Sequence, residues 1–104
     1  MIKDKELQEL FGLLTEECAE VIQALSKAKR FGLDNVYKGK SNKTHLVQEV
    51  GDVVALIMII SAKYPEVMND LSLASAVKKK IAKLKTYHDF LKDFEIHDGQ
   101  DSNI

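Results

Sequence analysis

The segment from Val53 to Ile60, VVALIMII, constrains the fold more than any other part of this 104-residue chain. Eight apolar residues are too few to span a bilayer, which takes about 20. In a helix they are apolar on every side, so neighbours must cover the helix all round. Two helices of similar length do not achieve this, whereas a second copy of the chain does. We therefore expect a homodimer or homotetramer whose interface is built partly from this helix.

The spacing of apolar residues predicts three helices and no sheet. The chain contains one proline and five glycines and shows no strand-like alternation. We expect helices from about Asp4 to Phe31, from about Lys43 to Lys63, and from Asn69 or Asp70 to about Phe94. Asp4 can cap the first helix, Gly32 can end it, and Ser41 or Asn42 can cap the second. The intervening segment 33–42 is interpreted as a loop.

The bulk composition describes one small globular domain. Apolar residues make up 45% of the chain, charged residues 30%, and the net charge is -1, so nothing in the balance indicates a nucleic-acid partner. We place the domain at residues 1–94 and a polar C-terminal tail at residues 95–104.

Cys18 is the single cysteine and lies in an apolar stripe, where we expect it to pack. A lone thiol and a charged N-terminus without an apolar leader predict a cytoplasmic protein.

Two short acidic motifs lie beside the apolar stretches. They are Glu16-Glu17-x-x-Glu20 in the first helix and Glu49-x-x-Asp52 in the second. Spacings of three and four residues put these carboxylates on one face of each helix. Negative charge beside a core is costly unless a cation compensates it. The cation is either Mg²⁺, which prefers carboxylate oxygens and serves phosphate chemistry, or a set of basic side chains.

The two motifs also lie at matching depth in the predicted bundle. At 1.5 Å per residue, Glu17 and Glu20 lie roughly 16–21 Å before the end of the first helix. Glu49 and Asp52 lie roughly 9–14 Å after the start of the second. The intervening loop can absorb the difference of about one helical turn. We therefore expect the motifs to face each other across two antiparallel helices.

The order EExxE, 28 residues and then ExxD resembles the signature of the MazG-like all-α nucleoside triphosphate pyrophosphohydrolases. The resemblance covers about residues 13–87 and extends to EECAEVIQALSKAKRFG, LVQEVGDVVALI and KKKIAKLKTY. These stretches are similar to small single-domain members from phages and bacteria. The resemblance implies an all-α helical bundle of three main helices, completed by oligomerisation into the MazG-like four-helix-bundle architecture.

The resemblance also implies a site and a reaction. The family's metal-binding acids would fall on Glu17, Glu20, Glu49 and Asp52, with Glu16 as an accessory. The family hydrolyses an NTP or dNTP to the monophosphate and pyrophosphate with Mg²⁺, and Mn²⁺ is an alternative ion. A metal-activated water would attack the α-phosphorus, and Glu17 or Glu16 would accept its proton. The sequence does not decide between these two glutamates.

A triphosphate also requires cations from the protein. Lys80 lies on the apolar seam of the third helix, so we expect its stem to be covered and its ammonium to meet an anion. We expect Lys80, and Lys83 and Tyr87 one turn on, to contact substrate; alternatively, Lys80 reaches solvent or pairs with a carboxylate. Arg30 either contacts phosphate or complements the C-terminus of the first helix. His45, one turn before Glu49, either reaches the site or is a partly exposed helix-start residue.

A function of another class is also compatible with the sequence. The same bundle can act as a non-catalytic helical oligomer, a nucleotide-binding or protein-interaction module. The intact set of acids favours the enzyme. The preferred base and sugar, the number of metals and the choice between dimer and tetramer are not specified by the sequence.

Overall fold

The computed structural model describes residues 2–96, and these divide into two units after Asn69. The first unit contains α1 (Lys5–Phe31), β1 (Val36–Tyr37), β2 (Lys40–Ser41) and α2 (Asn42–Lys63). The second contains α3 (Asp70–Tyr87) and a single 3₁₀ turn (Asp89–Leu91). The prediction of an all-α fold is confirmed, with one very short hairpin added to it.

Local capping chemistry fixes both ends of α1, as the sequence predicted. The Asp4 carboxylate accepts a hydrogen bond of 3.0 Å from the backbone N–H of Leu7. That bond satisfies one of the first-turn donors that have no partner within the helix. Gly32 follows the last residue with a φ of 91°, in a region open to glycine. Its N–H donates to the carbonyl of Ala28 at 2.9 Å and closes the final turn.

The start of α2 is tied to the end of α1. Ser41 caps α2 by accepting a hydrogen bond of 3.1 Å from the backbone N–H of Thr44. The side-chain amide of Asn42, which is only 3% exposed, donates to the carbonyl of Gly32 at 2.9 Å. This contact joins Gly32, the first residue after α1, to Asn42, the first residue of α2. The end of α1 is therefore held beside the start of α2, and the two helices run antiparallel.

A small apolar cluster closes the opposite end of the same helix pair. Leu7 from α1 packs with Ile60 near the end of α2 and with Tyr64 just beyond it. Ile60 is completely buried. Four half-buried side chains surround this cluster: Leu10, Phe11, Leu14 and Met68. The burial of Ile60 makes this cluster the main apolar anchor between α1 and α2.

Polar contacts reinforce the same end. The Tyr64 hydroxyl lies 3.1 Å from both Asp4 Oδ1 and Glu6 Oε2 and donates to these carboxylates. The Lys63 ammonium forms an ion pair with Glu6. Both ends of the α1–α2 pair are therefore held, and the middle of α1 is set against the first half of α2.

The outer face of α2 is exposed, in contrast to the sequence-based expectation of a centrally buried helix. Val47, Val54 and Met58 are 65%, 47% and 66% exposed. At 100° per residue they lie roughly opposite Asn42 and Ile60, which face α1. Among residues 2–96, α2 is the one helix whose length and apolar composition suit a membrane span, with a mean hydropathy of 1.6 over 18 residues. One helix, α1, covers only one side of α2.

Part of the apolar stripe of α1 is also exposed, because α2 covers only some of its residues. Cys18 is exposed, so the expectation that it packs in the core is wrong for the described chain. Its neighbours on this side, Ile22 and Leu25, are 67% and 46% exposed.

The segment predicted as a loop contains an antiparallel hairpin. Val36 pairs with Ser41, and Tyr37 pairs with Lys40. The two turn residues, Lys38 and Gly39, both have positive φ, 52° and 78°, as a type I′ turn requires. The sequence did not indicate the turn because Lys-Gly lacks the asparagine or aspartate that usually precedes glycine there.

The third helix ends at Tyr87, earlier than the predicted Phe94. His88 has an extended backbone, with φ -133° and ψ 106°. Residues 86–89, Thr-Tyr-His-Asp, are all weak helix formers, which favours a break at this point. Residues 97–104 of the predicted tail lie outside the described residues, and the domain boundary at residue 94 stays a prediction.

Candidate metal centre

Three of the predicted acids meet between α1 and α2. Glu17 comes from α1, Glu49 and Asp52 come from α2, and one carboxylate oxygen from each lies within 4.8 Å of the other two. Glu17 and Glu49 are half-buried, and Asp52 is exposed. The antiparallel pairing brings these groups to one level, as the matching depths predicted. Their roles as metal ligands stay a prediction.

The donor set and its dimensions suit a hard divalent cation. Mg²⁺ binds oxygens at about 2.0–2.1 Å, so two oxygens on one ion lie about 2.9 Å apart when adjacent and about 4.1 Å apart when opposite. Oxygens no more than 4.8 Å apart therefore need only small side-chain movements to share one ion. Carboxylates suit Mg²⁺ and Mn²⁺ alike. Three protein ligands leave coordination positions for water and phosphate oxygens.

The pKa of Glu17 indicates that the site favours positive charge. Partial burial raises the pKa of Glu17 above its ordinary value. The negative charges of Asp52, Glu49, Glu20 and Glu16 raise this pKa further, in that order. A cation among these groups would oppose both effects, because it stabilises the ionised carboxylates.

Basic side chains of the first unit do not neutralise the three acids, which was the alternative to a metal ion. Within residues 2–69 the ion pair joins Lys63 to Glu6, at one end of the helix pair. In that range no lysine or arginine nitrogen lies within 4.0 Å of a carboxylate oxygen of Glu17, Glu49 or Asp52. The three acids therefore meet without a protein cation from their own unit.

The remaining predicted acids lie around the edge of this triangle. Glu16 is exposed on α1. Glu20, one turn after Glu16, is outside the triangle and lines a small recess of about 50 Å³ together with Glu49. The other residues of this recess are Gln23, Ala24, Lys27, Asn42 and His45. His45, the fourth residue of α2, is half-buried and lines this recess, and its contact with the site stays a prediction.

The sequence analysis did not identify Lys27 and Tyr37 as neighbours of the acids. In the structure, Lys27 lines the same recess as Glu20 and Glu49, and Tyr37 contacts Lys27. Lys27 lies seven residues, or two helical turns, after Glu20, so its spacing put it on the same face of α1. Tyr37 lies in the segment interpreted as a loop, and no sequence signal connected it to the acids. Its ring centroid lies 4.6 Å from Lys27 Nζ and 6.4 Å from the ring centroid of His45.

Three of the predicted substrate contacts belong to α3, in the second unit. Lys80, Lys83 and Tyr87 are exposed on α3, in the second unit, so the expected covering of the Lys80 stem is absent there. Arg30 lies in the last turn of α1, with its guanidinium carbon 5.3 Å from the centroid of the Phe31 ring. This position agrees with the helix-terminus alternative for Arg30. The phosphate contacts of these residues stay predictions.

Comparison with known proteins identifies one family. The model of the MazG nucleotide pyrophosphohydrolase domain matches residues 5–91, from the start of α1 through the 3₁₀ turn. Searches of curated proteins and of solved structures gave no match. The matched region covers most of the chain and contains every acid of the cluster. The chain therefore belongs to the MazG nucleotide pyrophosphohydrolase family.

Proposed function

We propose that the protein hydrolyses a nucleoside triphosphate, an NTP or a dNTP, to the monophosphate and pyrophosphate in the presence of Mg²⁺. The convergence of Glu17, Glu49 and Asp52 within 4.8 Å, in a chain of the MazG family, carries this proposal. A water oxygen attacks the α-phosphorus, the bond between that phosphorus and the bridging oxygen breaks, and pyrophosphate leaves. The proton of the water passes to a carboxylate of the protein.

The positions of the acids suggest which of them would bind the metal ion. Glu49 and Asp52, one turn apart on α2, would hold Mg²⁺ together with one oxygen of Glu17. When bound, the ion would neutralise triphosphate charge and make the attacking water more acidic. Glu20, at the edge of the recess, can complete the ligand set.

Glu17 is the better candidate for the proton acceptor. One of its carboxylate oxygens lies within 4.8 Å of oxygens of Glu49 and Asp52, so Glu17 is next to the place where the ion and its water would sit. It is also half-buried, whereas Glu16 is exposed. A carboxylate has two oxygens, so one can face the ion while the other accepts the proton.

We propose that a second copy of the chain covers the outer face of α2 in a homodimer or homotetramer. Val47, Val54 and Met58 form this exposed face, and Gly51 lies beside them with open space around it. A mid-helix glycine costs about 1 kcal/mol relative to alanine, and its bare backbone lets a neighbouring helix approach closely. Asp52 in the same helix would be costly in a bilayer, which favours a protein partner over lipid.

Light scattering tests this assembly. The wild type should have the mass of a dimer or tetramer, and Val54→Asp should lower that mass while the helical circular dichroism is kept. A monomeric wild type that instead binds lipid vesicles would contradict the proposal. We further propose a cytoplasmic location, in a bacterium or a phage-infected host, because the proposed substrates are made and used there.

The reaction is tested with a panel of NTPs and dNTPs plus Mg²⁺, with monophosphate and pyrophosphate measured as products. At least one nucleotide should be turned over, and Glu49→Gln or Asp52→Asn should lower the rate by at least about 100-fold. Glu9→Gln, an exposed acid on α1 outside the cluster, is the matched control and should keep full activity. Nucleotide binding without product from any member of the panel would favour the non-catalytic module.

A further inference from the structure

The β1–β2 hairpin is held firmly against the start of α2. Among residues 2–96, Lys38 is the one non-glycine residue with positive φ, a conformation that is unfavourable for residues with a side chain. On the following strand, Lys40 Nζ donates to Gln48 Oε1 of α2 at 3.0 Å. His45 Nε2 lies 3.3 Å from the carbonyl oxygen of Tyr37. Contacts from two strands therefore offset the unfavourable turn and fix the position of Tyr37.

Tyr37 connects three parts of the first unit. Its ring centroid lies 4.6 Å from Lys27 Nζ of α1 and 5.3 Å from Lys38 Nζ of its own turn. Both distances are within the range of an attractive cation–π contact. The ring also lies at 49° to that of His45 on α2, with centroids 6.4 Å apart. The hairpin thus gathers two ammonium groups and an imidazole beside one aromatic ring.

Lys27 connects this cationic cluster to the acids. It lines the recess of about 50 Å³ that Glu20 and Glu49 also line. Lys27 has no carboxylate within 4.0 Å in residues 2–69, and the tyrosine ring is its observed partner. Its charge is therefore available to an anion that enters the recess.

The recess has room for small polar groups. A cavity needs about 10–15 Å³ of such space to admit one water molecule, so the recess of about 50 Å³ admits several water-sized groups. The oxygens of a phosphate group can therefore enter. A phosphate held by an ion on Glu49 would meet Lys27 in this space.

We propose that Lys27 binds the phosphate chain of the nucleotide, and that Tyr37 is the positioning residue that holds the Lys27 ammonium over the recess. The inference rests on the proposed function of the acid cluster. Its ligand class is a polyphosphate coordinated to a divalent cation. The contact comes from α1 and the hairpin, so it is independent of the predicted contacts from α3.

Binding of inorganic tripolyphosphate in the presence of Mg²⁺ tests the contact without reference to base or turnover. Loss of a charge-assisted hydrogen bond in Lys27→Met should weaken this binding about 10- to 100-fold. Lys27→Arg, which keeps the charge, should recover part of it. Lys29→Met removes a lysine two residues on, in a different recess, and is the matched control with unchanged binding.

The role of Tyr37 is tested by removal and rescue. Tyr37→Leu should weaken tripolyphosphate binding in the same direction, and Tyr37→Phe, which keeps the ring, should restore most of it. With the best nucleotide substrate, Lys27→Met should raise KM more than it lowers kcat. A merely structural role would instead change the melting temperature and leave tripolyphosphate binding intact.

The outcomes separate this inference from the function on which it rests. Equal tripolyphosphate affinity in the wild type and in Lys27→Met would overturn the inference, even if nucleotides are hydrolysed. No tripolyphosphate binding by the wild type would overturn it as well. Lys27-dependent binding without turnover of any nucleotide would support the contact and contradict the proposed reaction.

Discussion

Mg²⁺ should stabilise the folded protein, and Asp52→Asn should remove most of that stabilisation. The three carboxylates lie within 4.8 Å of one another, so each ionised group repels the other two. Replacing Asp52 by the nearly isosteric asparagine removes two of the three repulsive pairs. Without the metal, the variant should therefore be at least as stable as the wild type. With the metal, it should be the less stable of the two.

The size of the metal effect follows from mass action. An ion that binds only the folded state stabilises it by about 2.7 kcal/mol when its concentration is 100 times its dissociation constant. For a domain of this size each kcal/mol corresponds to roughly 4–8 °C in melting temperature. We therefore expect a rise of roughly 11–22 °C for the wild type near saturation, and less than about a third of that for Asp52→Asn.

The assay is thermal unfolding followed by circular dichroism over a titration of MgCl₂. A parallel titration with NaCl at matched ionic strength separates binding from the screening of surface charge. Glu9→Gln should behave as the wild type does, since it removes an acid outside the cluster. Equal shifts in the wild type and Asp52→Asn would refute the reasoning, as would a wild type that Mg²⁺ does not stabilise more than NaCl.

Four further predictions concern the frame of the site. Ile60→Ala should destabilise the fold by about 2–5 kcal/mol in denaturant titrations, because Ile60 is completely buried. Gly39→Ala should cost roughly 1–2 kcal/mol through its positive φ. Gly12→Ala, with helical backbone and open space around it, should gain up to about 1 kcal/mol. The pKa values of Asp4 and Glu6 are lowered, so stability should fall as pH drops from their ordinary values of 3.8 and 4.5 through the lower folded values.

Each of these has a contradicting outcome. A cost well below 2 kcal/mol for Ile60→Ala would mean that the apolar cluster does not anchor the helix pair. Glycine substitutions with effects of the same sign would contradict the backbone argument. For the pH prediction, the lowered pKa of Asp4 comes first from the backbone N–H of Leu7 and that of Glu6 first from Lys63. Lys63→Met should therefore flatten the acid side of the stability profile, and an unchanged profile would count against this account.

Features set by neighbouring residues were predictable from the sequence. Asp4 and Ser41 cap their helices because a short polar side chain can reach the free backbone N–H groups two or three residues ahead. Gly32 ends α1 because glycine alone tolerates positive φ without cost. The acids share helix faces because 3.6 residues make one turn. The meeting of Glu17 with Glu49 follows from these helix lengths and an antiparallel pairing.

Features that depend on distant contacts were not predictable in the same way. The hairpin turn at Lys38 carries no strong local signal and persists because Lys40 and His45 hold it on α2. The break at His88 was hidden because an apolar spacing continues past it, although the local propensity for helix is weak. Similarly, spacing along the chain did not show that Lys27 lies over the ring of Tyr37.

By itself the sequence determined the family, the helical class, the caps and the placement of the acids, because each depends on periodicity or on residues within a few positions. Tertiary structure decided which acids converge, leaving Glu20 at the edge of a recess and bringing Glu17 to Asp52. It also decided which apolar faces are left open, because one helix covers only one side of α2. The physical reason is that direction and distance between helices are set by packing, which no single segment specifies.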